Sequence, residues 1–383
     1  MSTWQYADRL SNLPPYLFAE LERKADERKR QGFLTINLGI GDPDLQPPAF
    51  LVESVKRHLD EPDVHLYSSS RGNLAVRESI ASFFARRYGV ELDPEREIAV
   101  VIGAKEGLAN LTRAFVNPGD MVAAPSPCYP VYRGAGTILN GGAVRNMMLI
   151  PDKGMFPDLR QAEGARMAFL NYPNNPTGAE ATVEFFREAA QFADSHPETV
   201  VVQDAAYAEM TFGGSKAPSL LQFSRNVIEF HSMSKTLNAT GYRIGFAVGH
   251  SILIDGLVRI KSQLDSGAPL FLQRAMADAL DRFEGNTPPK EVLDALQIYG
   301  RRRALFENGL ESMGYRVHRS KATFYVWFQS KCDDTIFAQK ALDHGVVLTP
   351  GTGFGDGGKG WMRATMTQPE DQLQKALELI SAI

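Results

Sequence analysis

Short apolar runs punctuate the middle of the chain at 98–102, 121–124, 144–150, 167–170, 200–202, 227–230 and 244–248. Most are rich in β-branched residues and apolar at consecutive positions, as strands buried on both faces require. Helical spacing fills several of the gaps. Between 183 and 193, for example, Phe185, Phe186, Ala189, Ala190 and Ala193 fall on one side of a helical turn. Candidate strands joined by helices predict one open α/β sheet covered on both faces. The ends of the chain read differently. Residues 20–30 mix charges of both signs, the mark of a solvated helix, and 290–315 continue in helical spacing. Strands are expected at 322–328, 345–349 and 361–366, and a last helix at 370–380. Gly-Asn-Thr-Pro-Pro at 285–289 sets off this α+β tail as a joint.

The length, 383 residues, fits two domains or one large one, and 44 % apolar residues supply a full core. Charge is nearly balanced, with 41 Lys+Arg against 45 Asp+Glu, so a nucleic-acid binder driven by phosphate neutralisation is not expected. The longest run without a charged residue, 167–179, has 13 residues and is broken by prolines, too short to span a bilayer. Met1 to Asp8 shows no basic stretch leading into an apolar one, so no secretory leader is expected. Cys128 and Cys332 stand far apart and read as two free thiols in a reducing, cytoplasmic compartment.

Three motifs point the wrong way. Gly353-Phe-Gly355-Asp-Gly357-Gly358 satisfies G-x-G-x-x-G, but the dinucleotide fingerprint needs a helix to start there, and an apolar strand-like run follows instead. The same stretch nearly matches a P-loop, except that Gly360 replaces the hydroxyl residue that would hold magnesium. Ser232-Met-Ser-Lys235 satisfies S-x-x-K without the companion elements of a penicillin-binding serine hydrolase. The 7 histidines form no metal-ligand spacing, so no metal site is expected.

Four other segments each follow a candidate strand and place polar residues just beyond it, at the edge where open α/β sheets bind ligands. After 98–102 comes Gly103-Ala104-Lys105-Glu106-Gly107, a small-residue turn opening a helix, and helix N-termini offer free N–H groups to anions. After 167–170 comes Asn171-Tyr-Pro-Asn-Asn175-Pro-Thr-Gly178, a good turn in which Asn175 is also a directed donor. After 200–202 come Asp204 and Tyr207. A carboxylate so placed needs a partner, and a structural salt bridge and a functional anchor are equally compatible with that segment alone. After 227–230 come Ser232, Ser234 and Lys235, with Arg243 eight residues on. One cofactor fits all four. Pyridoxal 5′-phosphate needs a lysine for its Schiff base and an acid facing its pyridinium nitrogen. Asn175 and Tyr207 suit its phenolate oxygen, and the 103–107 turn, Ser232, Ser234 and Arg243 suit its phosphate.

These segments, together with Ile40-Gly41-Asp42-Pro43, Tyr67 with Gly72, and Arg363, stand in the order of the fold-type I pyridoxal-phosphate enzymes. The chain resembles the class I/II aminotransferases over essentially its whole length. Within them it is most similar to the LL-diaminopimelate aminotransferase branch. Pro15-Tyr16-Leu17-Phe18, Ala104 to Gly107, Tyr129 to Tyr132, Glu229 to Ser232 and Thr349-Pro350-Gly351 with Gly353-Phe354-Gly355 carry that resemblance. The resemblance implies a large domain, 45–284, built on a mostly parallel seven-stranded sheet, and a smaller α+β domain of 1–44 and 285–383. It implies that Lys235 is catalytic, that Asp204 pairs with the ring nitrogen and that Tyr129 stacks on the ring. Ala104, Lys105, Asn175, Tyr207, Ser232, Ser234 and Arg243 would complete the cofactor's contacts. Arg363 would clamp the substrate α-carboxylate, with Tyr16, Gly41, Lys105 and Asn175 lining the substrate side. Tyr67 would reach the cofactor of a neighbouring subunit, making the enzyme a homodimer with shared sites. The implied reaction moves an amino group between an amino acid and a 2-oxo acid, 2-oxoglutarate in first place. Aspartate, alanine or broad amino-donor specificity, and carbon–sulfur β-elimination on the same cofactor, are the alternatives. Two positions depart from the family. Ala104 stands where relatives often carry Ser, and Ser70, followed by Arg71, stands where some diaminopimelate enzymes carry a carboxylate.

Overall fold

The computed structural model of the chain describes residues 4–14 and 17–383 and the side chains of all of these except 17–22. Its strands, in chain order, are β1 (Ile36–Asn37), β2 (Ile98–Val101), β3 (Met121–Ser126), β4 (Ala143–Met148), β5 (Met167–Asn171), β6 (Val200–Asp204), β7 (Val227–Ser232) and β8 (Gly245–Gly249). The tail adds β9 (Val317–His318), β10 (Tyr325–Gln329), β11 (Val346–Val347), β12 (Thr349–Pro350) and β13 (Trp361–Thr365).

The apolar runs of the middle region form one seven-stranded sheet in the order β2-β8-β7-β6-β5-β3-β4. Its pairings are parallel except those of β8, which runs antiparallel to both β2 and β7. Strands β2, β5, β6, β7 and β8 are buried at every position, because helices cover both faces. On one face Leu108 and Leu111 of the helix Ala104–Phe115 pack with Ile254 and Leu257 of Ser251–Ser262. On the other, Phe83 and Phe84 of Leu74–Tyr88, Phe186 of Val183–Ser195 and Met276 of Leu270–Asp281 join the larger cluster. Across that face Arg87 and Glu209 form a buried ion pair at 2.8 Å, and the Tyr88 hydroxyl donates to the same carboxylate at 2.9 Å.

The tail departs from expectation at 345–349. One strand was expected there, and two short ones form in different sheets. β11 pairs in parallel with β1, whereas β12 pairs antiparallel with β13 in the four-stranded sheet β12-β13-β10-β9. Two-residue strands carry no alternation to read, and Pro350 has no N–H with which to extend a ladder. For the same reason β1 and β9 left no mark in the pattern. The strand expected from 322 begins at Tyr325, because Thr323 takes φ 59° and gives its N–H to Met210 instead of to a neighbouring strand. The glycine-rich stretch forms two short 3₁₀ turns, Gly351–Phe354 and Asp356–Gly358, between β12 and β13, and no helix starts there. The helices expected at 290–315 and 370–380 run Lys290–Ser312 and Glu370–Ile380. Among the described residues, no helix is long and apolar enough to cross a membrane, and no group of three or more His, Cys, Asp or Glu is placed to hold a metal. Cys128 is buried and Cys332 exposed, both as free thiols.

The helix Ala104–Phe115 sits close to the sheet because Gly107 permits it. A Cβ there would meet Phe230 Cε1 at 2.5 Å and Val101 Cγ1 at 2.9 Å. Gly107→Ala is therefore expected to cost about 1–3 kcal/mol by overpacking. The urea midpoint should fall with an unchanged slope, and a midpoint equal to that of the parent would show that the helix is free to move outward.

Candidate active site

Parallel strands end together, so β5, β6 and β7 bring Asn171, Asp204 and Ser232 to one edge of the sheet. Asn171 and Asp204 are register partners, and the Asn171 side-chain amide donates to the Asp204 carbonyl at 2.9 Å. Its oxygen accepts from the Asn175 N–H at 2.8 Å, which holds the 171–178 loop over the strand ends. The edge opens on a cavity of about 290 Å³. Gly41, Ala104, Lys105, Tyr129, Asn175, Asp204, Tyr207, Ser232, Ser234, Lys235, Arg243 and Arg363 all line it. Tyr67 does not; it stands at the surface, 96 % exposed. Tyr16 lies outside the described residues.

Asp204 is 4 % exposed. The Tyr132 hydroxyl donates to one of its oxygens at 2.7 Å and the Ala206 N–H to the other at 3.1 Å. Burial raises its carboxyl to about 6, and those two hydrogen bonds and His231 pull the other way. Such a group gains from any cation that enters the cavity and hydrogen-bonds to it.

Lys235 lies on the short helix Met233–Thr236, which follows β7 directly, and Ser232 caps that turn by accepting the Ser234 N–H at 3.2 Å. Its ammonium nitrogen donates to the Gly41 carbonyl at 2.6 Å. The amine is lowered to about 8, chiefly by burial, with Asp42 opposing the shift and Arg363 and Arg243 adding to it. A sizeable neutral fraction near neutral pH makes it a nucleophile and a base. Gly41 must be glycine, since a Cβ would collide with the Tyr325 ring and hydroxyl.

Arg363, in β13, is 1 % exposed. Its guanidinium donates to Asn175 Oδ1 at 2.9 Å and to the Gly39 carbonyl at 2.6 Å, and lies 4.5 Å from the Tyr325 ring centroid and 4.8 Å from that of Phe354. Those contacts aim a planar fork into the cavity, the shape that binds a carboxylate bidentately.

At the opposite end, the turn before Ala104–Phe115 meets Arg243. Gly103 has φ 77°, and a Cβ on it would lie 2.6 Å from Arg243 Nη2. Arg243 itself adopts φ 50° and donates to the Thr240 carbonyl at 2.9 Å. A left-handed arginine costs about 1–3 kcal/mol, and such strain gathers where a side chain must be aimed. The guanidinium, the helix N-terminus and the Ser232 and Ser234 side chains share the cavity wall and together suit a phosphate.

Several residues at the site were not singled out for it by the sequence. Tyr132 was noted only within the Tyr129–Tyr132 stretch; its hydroxyl holds Asp204, and its ring stacks on Phe169 at 4.8 Å. Tyr325 looked like core, yet its hydroxyl pairs with that of Tyr207 at 2.6 Å. Ile40, Asp42, Asn171, Ala206 and Thr240 also line the cavity, and the Thr240 hydroxyl donates to Asp42 at 2.7 Å. The Tyr-x-x-Tyr spacing was a legible signal; Thr240 left none.

Comparison with known proteins gives a consistent picture. The aminotransferase class I and II family matches residues 35–380. The LL-diaminopimelate aminotransferase of Desulforudis audaxviator is 45 % identical over 97 % of this chain and 96 % of its own. That of Aquifex aeolicus is 41 % identical over 98 % of each. Among solved structures, substrate-bound BacF from Bacillus subtilis superposes with a TM-score of 0.91 at 32 % identity, covering 99 % of this chain and 98 % of that one. Aspartate aminotransferase from Thermus thermophilus with maleate gives 0.92 at 28 % identity, covering 99 % and 100 %.

Two titrations test the electrostatics of the cavity in cofactor-free protein. Reductive methylation of Lys235, followed by peptide mass spectrometry, should rise with pH through a midpoint near the amine's value of about 8. A midpoint above about 10, where ordinary lysines titrate, would show that burial does not act on this amine. For Asp204, a carboxyl lifted from 3.8 to about 6 in the folded state costs stability above pH 6 and none below pH 3.8. Asp204→Asn should therefore stabilise the cofactor-free protein at pH 7.5 by about 2–3 kcal/mol. The difference between the two urea midpoints should shrink as pH falls through the window from 6 to 3.8. A difference independent of pH would refute the burial argument.

Proposed function

The chain belongs to the aminotransferase class I and II family and transfers amino groups between an amino acid and a 2-oxo acid, and we propose pyridoxal 5′-phosphate as its cofactor and LL-diaminopimelate as its amino donor. One observation carries the cofactor reading: a lowered amine, a raised carboxyl and two guanidinium groups, from Lys235, Asp204, Arg243 and Arg363, line the same cavity. The cradle fits the group. The Gly103 turn brings backbone and Arg243 together where a Cβ would intrude, which suits a phosphate. The buried Asp204 carboxyl suits the protonated ring nitrogen, and the Tyr207 hydroxyl and Asn175 amide suit the phenolate oxygen.

When bound, the cofactor supplies an electron sink for the bond broken at the substrate Cα. The protein's own groups do the rest. Asp204 holds the proton on the ring nitrogen, and Tyr132 and the Ala206 N–H hold Asp204 in line. Tyr129, on the cavity wall, would pack against the ring. Arg363, already braced by Asn175 and Gly39, receives the α-carboxylate. The Lys235 amine, released from the Gly41 carbonyl, takes the proton from the donor's Cα and, when the acceptor oxo acid becomes the new amino acid, delivers one to that product's Cα. In this reading 2-oxoglutarate is the acceptor, residues 45–284 form the cofactor domain, and 1–44 with 285–383 form the smaller one. Tyr67 then serves the site of a second copy in a homodimer, for which its exposure leaves it available. Two free thiols accord with a cytoplasmic setting.

Support for LL-diaminopimelate comes from the names of the curated relatives and from the residues at the cavity mouth. Lys105 lines the cavity beside the phosphate turn and would meet the donor's distal carboxylate. Side-by-side kcat/KM values for LL-diaminopimelate, aspartate, glutamate and alanine test this. LL-diaminopimelate should rank first, and Lys105→Ala should lower its advantage over alanine by about tenfold to a hundredfold, the worth of one charge-assisted hydrogen bond. Alanine as the best donor, with all four ratios unchanged in Lys105→Ala, would overturn the substrate assignment while leaving the aminotransferase family untouched.

A further inference from the structure

The phosphate-side turn carries an apparent contradiction. Glu106 sits in the first turn of the helix Ala104–Phe115, whose N-terminus lines the cavity beside Arg243. Its carboxylate is turned back toward the strand, where Oε2 accepts the Ile102 N–H at 2.8 Å, and the Asn110 amide donates to Oε1. This contact fixes the turn itself, because Ile102 and Gly103 are the residues that lead into the helix. Yet a bare carboxylate there competes with any phosphate for the same helix end. Like charges so close in a low-dielectric site repel strongly.

Lys261, from the helix Ser251–Ser262, resolves the conflict. Its side chain is fully buried, and its ammonium lies 3.3 Å from both Glu106 oxygens and 3.1 Å from both oxygens of Asp265. The Gly267 N–H donates to Asp265 at 2.9 Å, so the carboxylate also organises the loop after the helix. That loop packs on the 66–72 segment: Gly267, at φ 101°, lies where a Cβ would come within 2.5 Å of the Ser69 carbonyl. We infer that Lys261 is a positioning residue for the cofactor phosphate: its ammonium, shared with Asp265, offsets part of the Glu106 charge, so that the carboxylate can brace the 102–104 turn with less repulsion of the dianion that the turn receives. Burial raises the Glu106 carboxyl above the usual carboxylate range, with Asp265 adding to the rise and Lys261 and the Ile102 N–H opposing it. A fully buried lysine bridging two acids is expensive to desolvate, and a mere surface tie between helices would not need it.

This inference rests on the proposed cofactor, and its test separates the two. Cofactor-free protein is titrated with pyridoxal 5′-phosphate and with pyridoxal, which lacks the phosphate, and binding is read from absorbance and intrinsic fluorescence. If the parent protein binds neither, the cofactor reading fails. If it binds pyridoxal 5′-phosphate, Lys261→Met should raise the dissociation constant for it by about tenfold or more and change that for pyridoxal by less than about twofold. Adding Glu106→Gln to Lys261→Met removes the repelling charge and should restore much of the lost affinity, whereas Glu106→Gln alone should cost little. Should Lys261→Met fail to fold, Lys261→Gln with Glu106→Gln is compared with Lys261→Gln alone. Equal losses for both ligands, or no recovery in the double variant, would reduce Lys261 to a structural tie and overturn the inference.

Discussion

The burial of one carboxyl organises the site. Asp204 closes β6 at the edge of the sheet, where an anion has lost its water and, among the described residues, has gained the hydrogen bonds of a phenol and one N–H, with His231 nearby. Desolvation of an ionised carboxylate is costly, and two neutral donors do not offset it. The cavity is therefore unfinished electrostatically until a cation enters it. Lys235 presents the mirror image. It is an amine that burial and two guanidinium groups drive toward neutrality on the same wall. Neither group neutralises the other: Lys235 gives its hydrogen bond to the Gly41 carbonyl and Asp204 accepts from Tyr132. A ligand with an acidified ring nitrogen and an electrophilic carbon relieves both strains at once, and that is why the two residues are read as halves of one binding event.

Backbone shape lets so many cations share so small a space. Arg243, Arg363 and Lys235 converge on a cavity of about 290 Å³, and each is kept in place by carbonyl or amide oxygens. Glycines make this possible at two points. Gly41 lets the backbone carbonyl reach Lys235 underneath Tyr325, and Gly103 lets the helix turn lie flat against Arg243. Side chains at either place would push the charged groups apart and widen the pocket. The contacts named here are with dipoles, and the Asp42 carboxylate, which lines the same cavity, acts on Lys235 as well.

What the sequence revealed followed the physics of burial. Long, doubly buried strands announce themselves by consecutive apolar residues, and β2 through β8 lie where the apolar runs stood. The short strands of the tail do not: β1, β9, β11 and β12 each have two residues, and their pairing is decided by distant partners. The direction of β8 was not legible, since a fully buried strand reads the same either way. At the site, polar residues just past a strand end were legible because they interrupt the apolar run. Tyr325 was not, because within β10 it fills a buried strand position like its neighbours, although it also lines the cavity. Lys261 was hidden for a similar reason. On a helix otherwise marked by apolar spacing, a lysine reads as solvated, and only the fold reveals that two acids from other turns enclose it.

The same physics explains why the chain speaks more clearly about its chemistry than about its donor. The groups proposed to work at the cofactor sit at strand ends of one sheet, and their placement needs nothing beyond this chain. Recognition of a donor's far end depends on groups at the rim. Lys105 is there, but Ser70 and Arg71, both half-buried, belong to the 66–72 segment that also carries the exposed Tyr67, and none of these three lines this chain's own cavity. In the proposed homodimer those residues complete the pocket of the neighbour. A donor's distal ammonium would then be judged by two subunits at once, and Ser70, lacking a charge, leaves that task to hydroxyls and to water. In that reading specificity at that end is a property of the assembled pair, whereas the Lys235 amine, the buried Asp204 and the Arg363 guanidinium are placed by the single fold.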